Sequence, residues 1–238
     1  GTDNVAMGAY ALDANTTGDG HTAIGDNALG ANTTADNNTA VGGNALLVNT
    51  TGAENVAVGK GSLDANTTAS YNTGIGTASL GANTTGASNT GIGAYALNAN
   101  TTASNNVAIG KDSLKVNTTG ANHIAVGQGA MVANTTGNDN VAVGRQALDA
   151  NTTGGSNVAM GSDALGANTT ASGNTGIGYN ALLANTTGTE NVAVGMGALD
   201  ATGAGTDGSY NVAVGNDALT ANTEGQFNVA VGRRALYA

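Results

Sequence analysis

The asparagine of a recurring Asn-Thr-Thr triplet is the residue whose pattern best supports a chemical role. Each triplet forms an Asn-x-Thr sequon, the acceptor for N-linked glycans, and Asn37 lies in a further sequon. The candidate glycosylation residues are Asn15, Asn32, Asn49, Asn66, Asn83, Asn100, Asn117, Asn134, Asn151, Asn168 and Asn185. The column predicts either a glycan-coated fibril or, alternatively, stacked amides and hydroxyls that satisfy the backbone of a turn.

Catalytic chemistry has weak support in the sequence. His21 and His123 stand where most other copies of the pattern have asparagine, so we interpret both as substitutions within a column. The aspartates are scattered, and the Asp-x-Asp-x-Asp spacing of a calcium loop is missing. The Gly-rich stretch 74–76 lacks the strand-loop-helix context of a phosphate cradle. We therefore predict a protein that is not an enzyme, with no catalytic residue, metal or cofactor.

The threonines of the triplet raise a different hypothesis, because a flat threonine array on a β-solenoid can match an ice lattice. In an extended segment, neighbours such as Thr152 and Thr153 point to opposite sides, which leaves one outward rank. Ice binding is therefore an alternative to a structural role, and sugar binding is a second ligand-binding alternative.

A regular period along the chain must position all of these side chains. One glycine recurs from Gly8 to Gly232 in steps of 17, apart from one step of 20 between Gly195 and Gly215. Each copy reads Asn-[Val/Thr]-[Ala/Gly]-[Val/Ile/Met]-Gly-x-x-[Ala/Ser]-Leu-x-[Ala/Val]-Asn-Thr-Thr-[Gly/Ala]-x-x, and its residues are numbered here as places 1 to 17. A short fixed period is typical of a stacked repeat. We predict an all-β chain, a parallel β-solenoid (β-roll or β-helix) of fourteen 17-residue coils.

The pattern also predicts what points inward. Two short strands are expected in each copy, one ending at the glycine and one through Ala-Leu-x-Ala-Asn. We expect the Val and Ile of places 2 and 4 to face the interior, together with Leu at place 9 and Ala or Val at place 11. The glycine of place 5 indicates a tight turn or a close approach of another backbone. The predicted core column is Leu12, Leu29, Leu46, Leu63, Leu80, Leu97, Leu114, Met131, Leu148, Leu165, Leu182, Leu199, Leu219 and Leu236.

With Val and Leu inside, the small residues of places 3 and 8 would form a smooth stripe on the outside. Such a stripe allows close packing against another chain. We therefore predict self-association, most simply as a homotrimer.

Composition narrows the remaining classes. The net charge is −10, six basic residues are dispersed, and six Tyr and one Phe provide no stacking platform, which disfavours nucleic acid. No run of about 18 apolar residues exists, so we predict no membrane insertion. The sequence begins and ends within the repeat, so residues 1–238 are interpreted as a single solenoid segment of a longer fibre. An insertion at 202–210 should bulge outward without breaking the stack.

The stretch Val107-Ala108-Ile109-Gly110-Lys111-Asp112-Ser113 resembles the head repeats of trimeric autotransporter adhesins. Those heads are left-handed parallel β-rolls with three chains side by side, although their repeat is shorter than the one in this chain. The full unit, with its Ala-Leu-x-x-Asn-Thr-Thr-Gly loop, also resembles repeats of bacterial and bacteriophage tail-fibre-like proteins. The resemblance covers essentially the whole chain, and it implies a homotrimer that is extracellular, on a cell surface or in a virion tail fibre.

The leading hypothesis is a non-enzymatic extracellular fibre or adhesin shaft. Its variable turn residues would make weak multivalent contacts with a host surface or glycans. The displayed residues are Lys60, Lys111, Arg145, Tyr10, Tyr95 and Tyr179. Open first and last coils predict head-to-tail association as well.

Overall fold

A computed structural model describes residues 1–200 and 208–237. Regular structure in these residues is entirely β, with short strands and no helix. The strands are β1 (Val5–Met7), β2 (Thr22–Ile24), β3 (Thr39–Val41), β4 (Val56–Val58), β5 (Thr73–Ile75), β6 (Thr90–Ile92), β7 (Val107–Ile109), β8 (Ile124–Val126), β9 (Val141–Val143), β10 (Val158–Met160), β11 (Thr175–Ile177), β12 (Val192–Val194), β13 (Val212–Val214) and β14 (Val229–Val231).

The chain divides into two compact units, Gly1–Ala121 and Asn122–Ala238. In the first unit, strands β1 to β7 pair in sequence order, and each lies parallel to the equivalent strand of the next coil. Strands β8 to β14 pair in the same way in the second unit. Like residues therefore face each other, as Val56 faces Thr73. Each unit is a parallel β-solenoid, which confirms the predicted fold class.

The insertion does not change the pairing of the strands on either side. Val192 of β12 faces Val212 of β13 across the one longer step of the repeat. The regular contacts resume at Gly208, whose carbonyl accepts a hydrogen bond from Asn191 Nδ2 at 2.8 Å. The outward bulge predicted for 202–210 falls mostly on 201–207, outside the described residues.

The place-5 glycine ends each strand because its backbone φ is positive, a conformation that residues with a side chain rarely adopt. Its φ lies between +124° and +142° in all copies, where an L side chain is strained. The neighbouring coil is also close: a Cβ on Gly59 would lie 2.6 Å from the carbonyl carbon and oxygen of Gly76. Both expectations for this glycine, a tight turn and a close backbone approach, are confirmed.

The second predicted strand is wrong. Leucine at place 9 has a left-handed φ, between +50° and +57°, and the residue two places earlier is also left-handed. An extended strand cannot contain such residues. The segment instead bonds to both neighbours in alternation: Ala78 N–H donates backward to Lys60 O at 3.0 Å, while Leu80 N–H donates forward to Ala96 O at 2.9 Å. Each coil therefore has one strand and one non-extended wall.

The predicted orientation of the strand is also wrong. Ala57 at place 3 and Ser62 at place 8 are completely buried, whereas Val56 and Val58 are half-buried on the outer face. Place 11 lies outward too, since Val48 and Val116 are each 38% exposed. The narrow interior accommodates one leucine, small residues and asparagines, so β-branched side chains are directed outward. The predicted outer stripe of small residues therefore does not exist, and it no longer supports the prediction of a homotrimer.

The leucine column lies in the interior as expected. Leu12 is half-buried, Leu236 is 58% exposed, and the other members are buried. The two exceptions belong to the first and last coils, which have a described neighbour on one side only. A buried leucine contributes on the order of 2 kcal/mol from its apolar area, repeated at every coil.

Candidate functional site

In most coils of the described residues, the corner holds two asparagines, at places 1 and 12, and each place forms a column along its unit. In the place-12 column, Asn83 Nδ2 donates to Asn66 Oδ1 of the preceding coil at 3.1 Å. The same amide nitrogen donates to Gly86 O of its own coil at 2.9 Å. Both hydrogens of the amide are therefore used inside the corner. This contact pair repeats from Asn49 to Asn117 in the first unit and from Asn151 to Asn185 in the second.

The place-1 column uses the opposite arrangement, because its oxygen receives a backbone donor. Asn72 Oδ1 accepts the N–H of Asn89 in the next coil at 2.9 Å. Its Nδ2 donates at 2.9 Å to Gly86 O, the same carbonyl that accepts the hydrogen bond from Asn83 Nδ2. Two buried asparagines thus meet on one place-15 carbonyl, as Asn55 and Asn66 also do on Ala69 O in the preceding coil. No buried hydrogen-bonding role was predicted for this column, although the presence of asparagine or histidine at place 1 of every copy was a signal for it.

The structure does not support glycans on the Asn-Thr-Thr column. Ten of the eleven candidates, from Asn32 to Asn185, have no exposed surface, and Asn15 is half-buried. An amide nitrogen with both hydrogens engaged and no access to solvent cannot be modified in the folded coil. Asn37, in the remaining sequon, is exposed. The alternative interpretation of the column, stacked amides that satisfy turn backbone, agrees with the geometry.

The two histidines lie in the place-1 column, as the sequence indicated. Each replaces an asparagine and bonds to the corresponding groups: His21 Nε2 lies 2.7 Å from Ala35 O, and His123 Nε2 lies 2.7 Å from Gly137 O. Burial lowers the pKa of His123, while its hydrogen bond to Gly137 and the Asp139 carboxylate act in the opposite direction. Both rings are packed inside the corner rather than facing solvent, so their role here is structural.

The two threonines of the triplet have different environments. Thr152 is half-buried, and its Oγ1 donates to Thr169 O of the next coil at 3.0 Å. Thr153 is exposed. One outward rank of hydroxyls results, as the alternation predicted. That rank is a single line of side chains rather than the flat two-dimensional array that ice matching requires.

The outer face of the strands is a surface that repeats at every coil of each unit. Places 2 and 4 present Val, Thr, Ile or Met at successive coils, about 4.8 Å apart. Ile75 is 38% exposed in the first unit, and Ile124 and Met160 are 45% and 42% exposed in the second. Places 2 and 4 contain no charged residue. Hereafter "outer strand face" means the side chains of places 2 and 4 within one unit.

The acidic residues form no metal centre in the part of the chain that the structure describes, where no three His, Cys, Asp or Glu side chains converge. Burial raises the pKa values of Asp64 and Asp149, and repulsion from Asp217 adds to the same effect at Asp200. At the surface, Lys115 Nζ lies 3.0 Å from an oxygen of Asp112. Exposed pairs of this kind contribute at most about 1 kcal/mol.

The turn residues predicted for display are all exposed: Lys60, Lys111, Arg145, Tyr10, Tyr95 and Tyr179. Tyr10, which is 68% exposed, also lines an open groove of about 380 Å³ together with Asp13 and Asn27. An aromatic ring beside a carboxylate and an amide can contact a sugar. The groove is shallow, and no buried polar group without a partner points into it among the residues that form it.

No protein-family model matches the chain, and comparison with curated proteins finds no similar sequence. The described residues contain no helix of the length and hydrophobicity that crossing a membrane needs. The described residues combine three features: buried asparagines whose amides are hydrogen-bonded, a repeated apolar outer strand face, and exposed turn residues at regular intervals.

Proposed function

We propose that the chain is a non-enzymatic structural element, a solenoid shaft of an extracellular or cell-surface fibre. Its coils act as a spacer and display turn residues at regular intervals for weak multivalent contact. One observation supports this proposal: the polar side chains that repeat in the interior are fully hydrogen-bonded within their own coil and to the next one. Asn72, for example, accepts Asn89 N–H of the next coil with its oxygen and donates to Gly86 O of its own coil with its nitrogen.

The outer strand face is the surface through which copies of the chain associate side by side. It is uncharged and either apolar or hydroxyl-bearing at every coil, and the register of the strands aligns its side chains in rows. β-branched side chains left half-exposed at successive coils gain free energy when another chain covers them. A homotrimer is the assembly implied by the resemblance to adhesin heads, and this face replaces the small-residue stripe as its contact surface.

Sedimentation equilibrium and low-resolution imaging test the proposal together. Wild-type protein is expected to form a discrete oligomer whose mass per unit length gives the number of chains. Val58→Glu places a charge on the outer strand face of the first unit and should shift the equilibrium toward monomer by at least tenfold. A desolvated, unpaired carboxylate costs more than the one apolar contact that it replaces.

Thr68→Glu is the matched control, because Thr68 is exposed on a different column of the same coil. It adds the same charge and should leave association unchanged. A wild-type protein that stays monomeric at all concentrations overturns side-by-side assembly. A thermal-hysteresis measurement on the same samples separates the structural role from ice binding, since a structural shaft shows no hysteresis.

A further inference from the structure

The two histidines can make the hydrogen bonds of the asparagine they replace in only one protonation state. At an ordinary place-1 residue, Asn55 Nδ2 donates to Ala69 O at 2.9 Å, and Asn55 Oδ1 accepts Asn72 N–H at 2.9 Å. One side chain thus supplies a donor to its own corner and an acceptor to the next coil. An imidazole ring can supply the same two roles only if one of its nitrogens carries hydrogen and the other does not.

The backbone donor fixes which nitrogen of His123 carries hydrogen. Asn140 N–H can only donate, and its nitrogen lies 3.2 Å from His123 Nδ1, so His123 Nδ1 must present its lone pair. A neutral ring then has its hydrogen on Nε2, where Gly137 O accepts it at 2.7 Å. Asn134 Nδ2 also donates to Gly137 O, at 3.3 Å, so two side chains share this carbonyl as they do in the other coils.

His21 repeats this arrangement in the first unit. Its Nδ1 accepts Asn38 N–H at 3.1 Å, and its Nε2 donates to Ala35 O at 2.7 Å. Asn32 Nδ2 donates to the same carbonyl at 3.3 Å. At both positions the neutral ring with hydrogen on Nε2 reproduces the amide, and no other form does.

Protonation would put a second hydrogen on Nδ1, directly facing a backbone N–H. Two donors would then oppose each other in a corner without solvent access, since His21 is 1% and His123 0% exposed. The charged groups that face the rings are the carboxylates of Asp19 for His21 and Asp139 for His123. Both carboxylates are exposed at the outer edge, where solvent screens their charge.

We propose that the His123 position is an acid-sensitive point of the solenoid, at which protonation breaks the bond to the next coil and opens the corner. The place-1 asparagines of the neighbouring coils, being amides, do not titrate. Acid therefore loosens the second unit at one defined coil, that of His123.

The sign of the pH dependence follows from the direction of the shift. Burial lowers the pKa of His123 in the folded chain, so between the folded value and the ordinary value near 6.5 the unfolded chain binds more protons. Stability from this residue is complete above about pH 6.5 and is lost as the pH falls below it. The limit for one proton is about tenfold in the opening equilibrium per pH unit.

The experiment is amide hydrogen exchange on the full chain between pH 8 and pH 5, corrected for intrinsic exchange rates. Protection at Asn140 should fall by up to about tenfold per pH unit below pH 6.5. Protection at Asn157, whose N–H is accepted by Asn140 Oδ1 at 2.9 Å, should change little. Equal pH dependence at Asn140 and Asn157 overturns the proposal.

Variants that exchange the column residue make the test two-sided. His123→Asn restores the residue found at place 1 of most coils and should abolish the acid-dependent loss of protection at its own coil. Asn55→His should create it at Asn72, whose N–H is accepted by Asn55 Oδ1. If His123→Asn leaves the acid response at Asn140 unchanged, the ring is not its source. The wild-type comparison of Asn140 with Asn157 decides the question even if a variant fails to fold.

Discussion

The interior of each coil has two halves that follow different rules. One half is apolar and consists of the small residues of places 3 and 8 with the leucine of place 9. The other half is the amide corner, formed by the asparagines of places 1 and 12. Both halves are buried in the coils that have a neighbour on each side. They differ in what substitutions within the repeat preserve: side-chain volume in the apolar half, and hydrogen-bond roles in the corner.

Exchanges in the apolar half are compensated in size at two coils. Serine replaces alanine at place 8 of three coils, and after two of them glycine replaces alanine at place 3 of the next coil. Ser62 Oγ donates to Gly74 O at 2.9 Å, and Ser79 Oγ donates to Gly91 O at 2.8 Å. Two residues depart from this pairing: Ser113 is followed at place 3 by Ala125, and Gly176 is preceded at place 8 by alanine. Nothing in the structure explains that glycine.

Exchanges in the amide corner keep the donor and acceptor rather than the volume. Histidine is larger than asparagine, yet it is the one substitute at place 1, because a neutral ring offers an acceptor and a donor in equivalent directions. An apolar residue never occurs there. The comparison therefore predicts that removing a hydrogen-bond role in the corner destabilises the chain more than removing volume in the apolar half.

The largest effect is expected for Asn72→Leu. The substitution leaves Asn89 N–H without its acceptor and removes one of two donors to Gly86 O. The unsatisfied Asn89 N–H costs about 1–3 kcal/mol, and fitting leucine in place of the amide in a packed corner costs about 1–3 kcal/mol more, so the free energy of unfolding should fall by roughly 2–6 kcal/mol. Chemical denaturation measures it. Thr85→Leu, at an exposed position of the neighbouring turn, is the control and should change stability by less than about 0.5 kcal/mol. Equal losses in the two variants would refute the rule for the corner.

A slightly smaller effect is expected in the apolar half of that coil. Leu80→Ala removes a fully buried side chain, and such truncations cost about 2–5 kcal/mol depending on how far the site collapses. Leu80→Met keeps the volume and should cost less than about 1.5 kcal/mol, since Met131 already occupies this place in another coil. Denaturation of the two variants should separate them clearly. If methionine costs as much as alanine, shape rather than volume governs this half.

The stacking itself was predictable from the sequence, while the direction of the side chains was not. A strict period with glycine punctuation fixes register and fold class, and the leucine column follows from it. Alternation shows only that places 2 and 4 share a face opposite place 3. Choosing the more hydrophobic face as inward failed, because this interior is too narrow for β-branched side chains. The exchange of Val with Thr at place 2, as at Val56 and Thr73, was the signal of an outward face.

The asparagine column shows a second limit of sequence patterns. A sequon is defined by three letters, and those letters are the same whether the amide is exposed or forms a buried column. Asn66 and Asn37 both satisfy it, yet one has no exposed surface and the other is exposed. The positive φ of the place-9 leucines could not be predicted from the sequence either, because leucine rarely adopts it and only the surrounding coils stabilise it there.

The smallest effect sharpens the apolar rule through a pair of substitutions. Gly74→Ala alone should cost about 1–3 kcal/mol, because its Cβ would lie 2.5 Å from Ser62 Oγ and the packed interior has little room to adjust. Ser62→Ala removes that oxygen, and the double variant recreates the Ala45 and Ala57 pair found at the preceding coils. The double variant should therefore recover most of the loss, with a coupling of about 1–3 kcal/mol in a double-mutant cycle.

Gly176→Ala is the matched control for this pair, because alanine already stands at place 8 of the coil before it and no serine oxygen lies near its Cβ position. Gly176→Ala should lower the free energy of unfolding less than Gly74→Ala does in the same denaturation experiment. The other close contacts of the added Cβ differ between the two sites by only a few tenths of an ångström, so the serine oxygen is the main difference. Simple additivity of the Ser62 and Gly74 substitutions would mean that the paired exchange in the repeat is coincidental. Volume compensation would then no longer distinguish the apolar half from the amide corner.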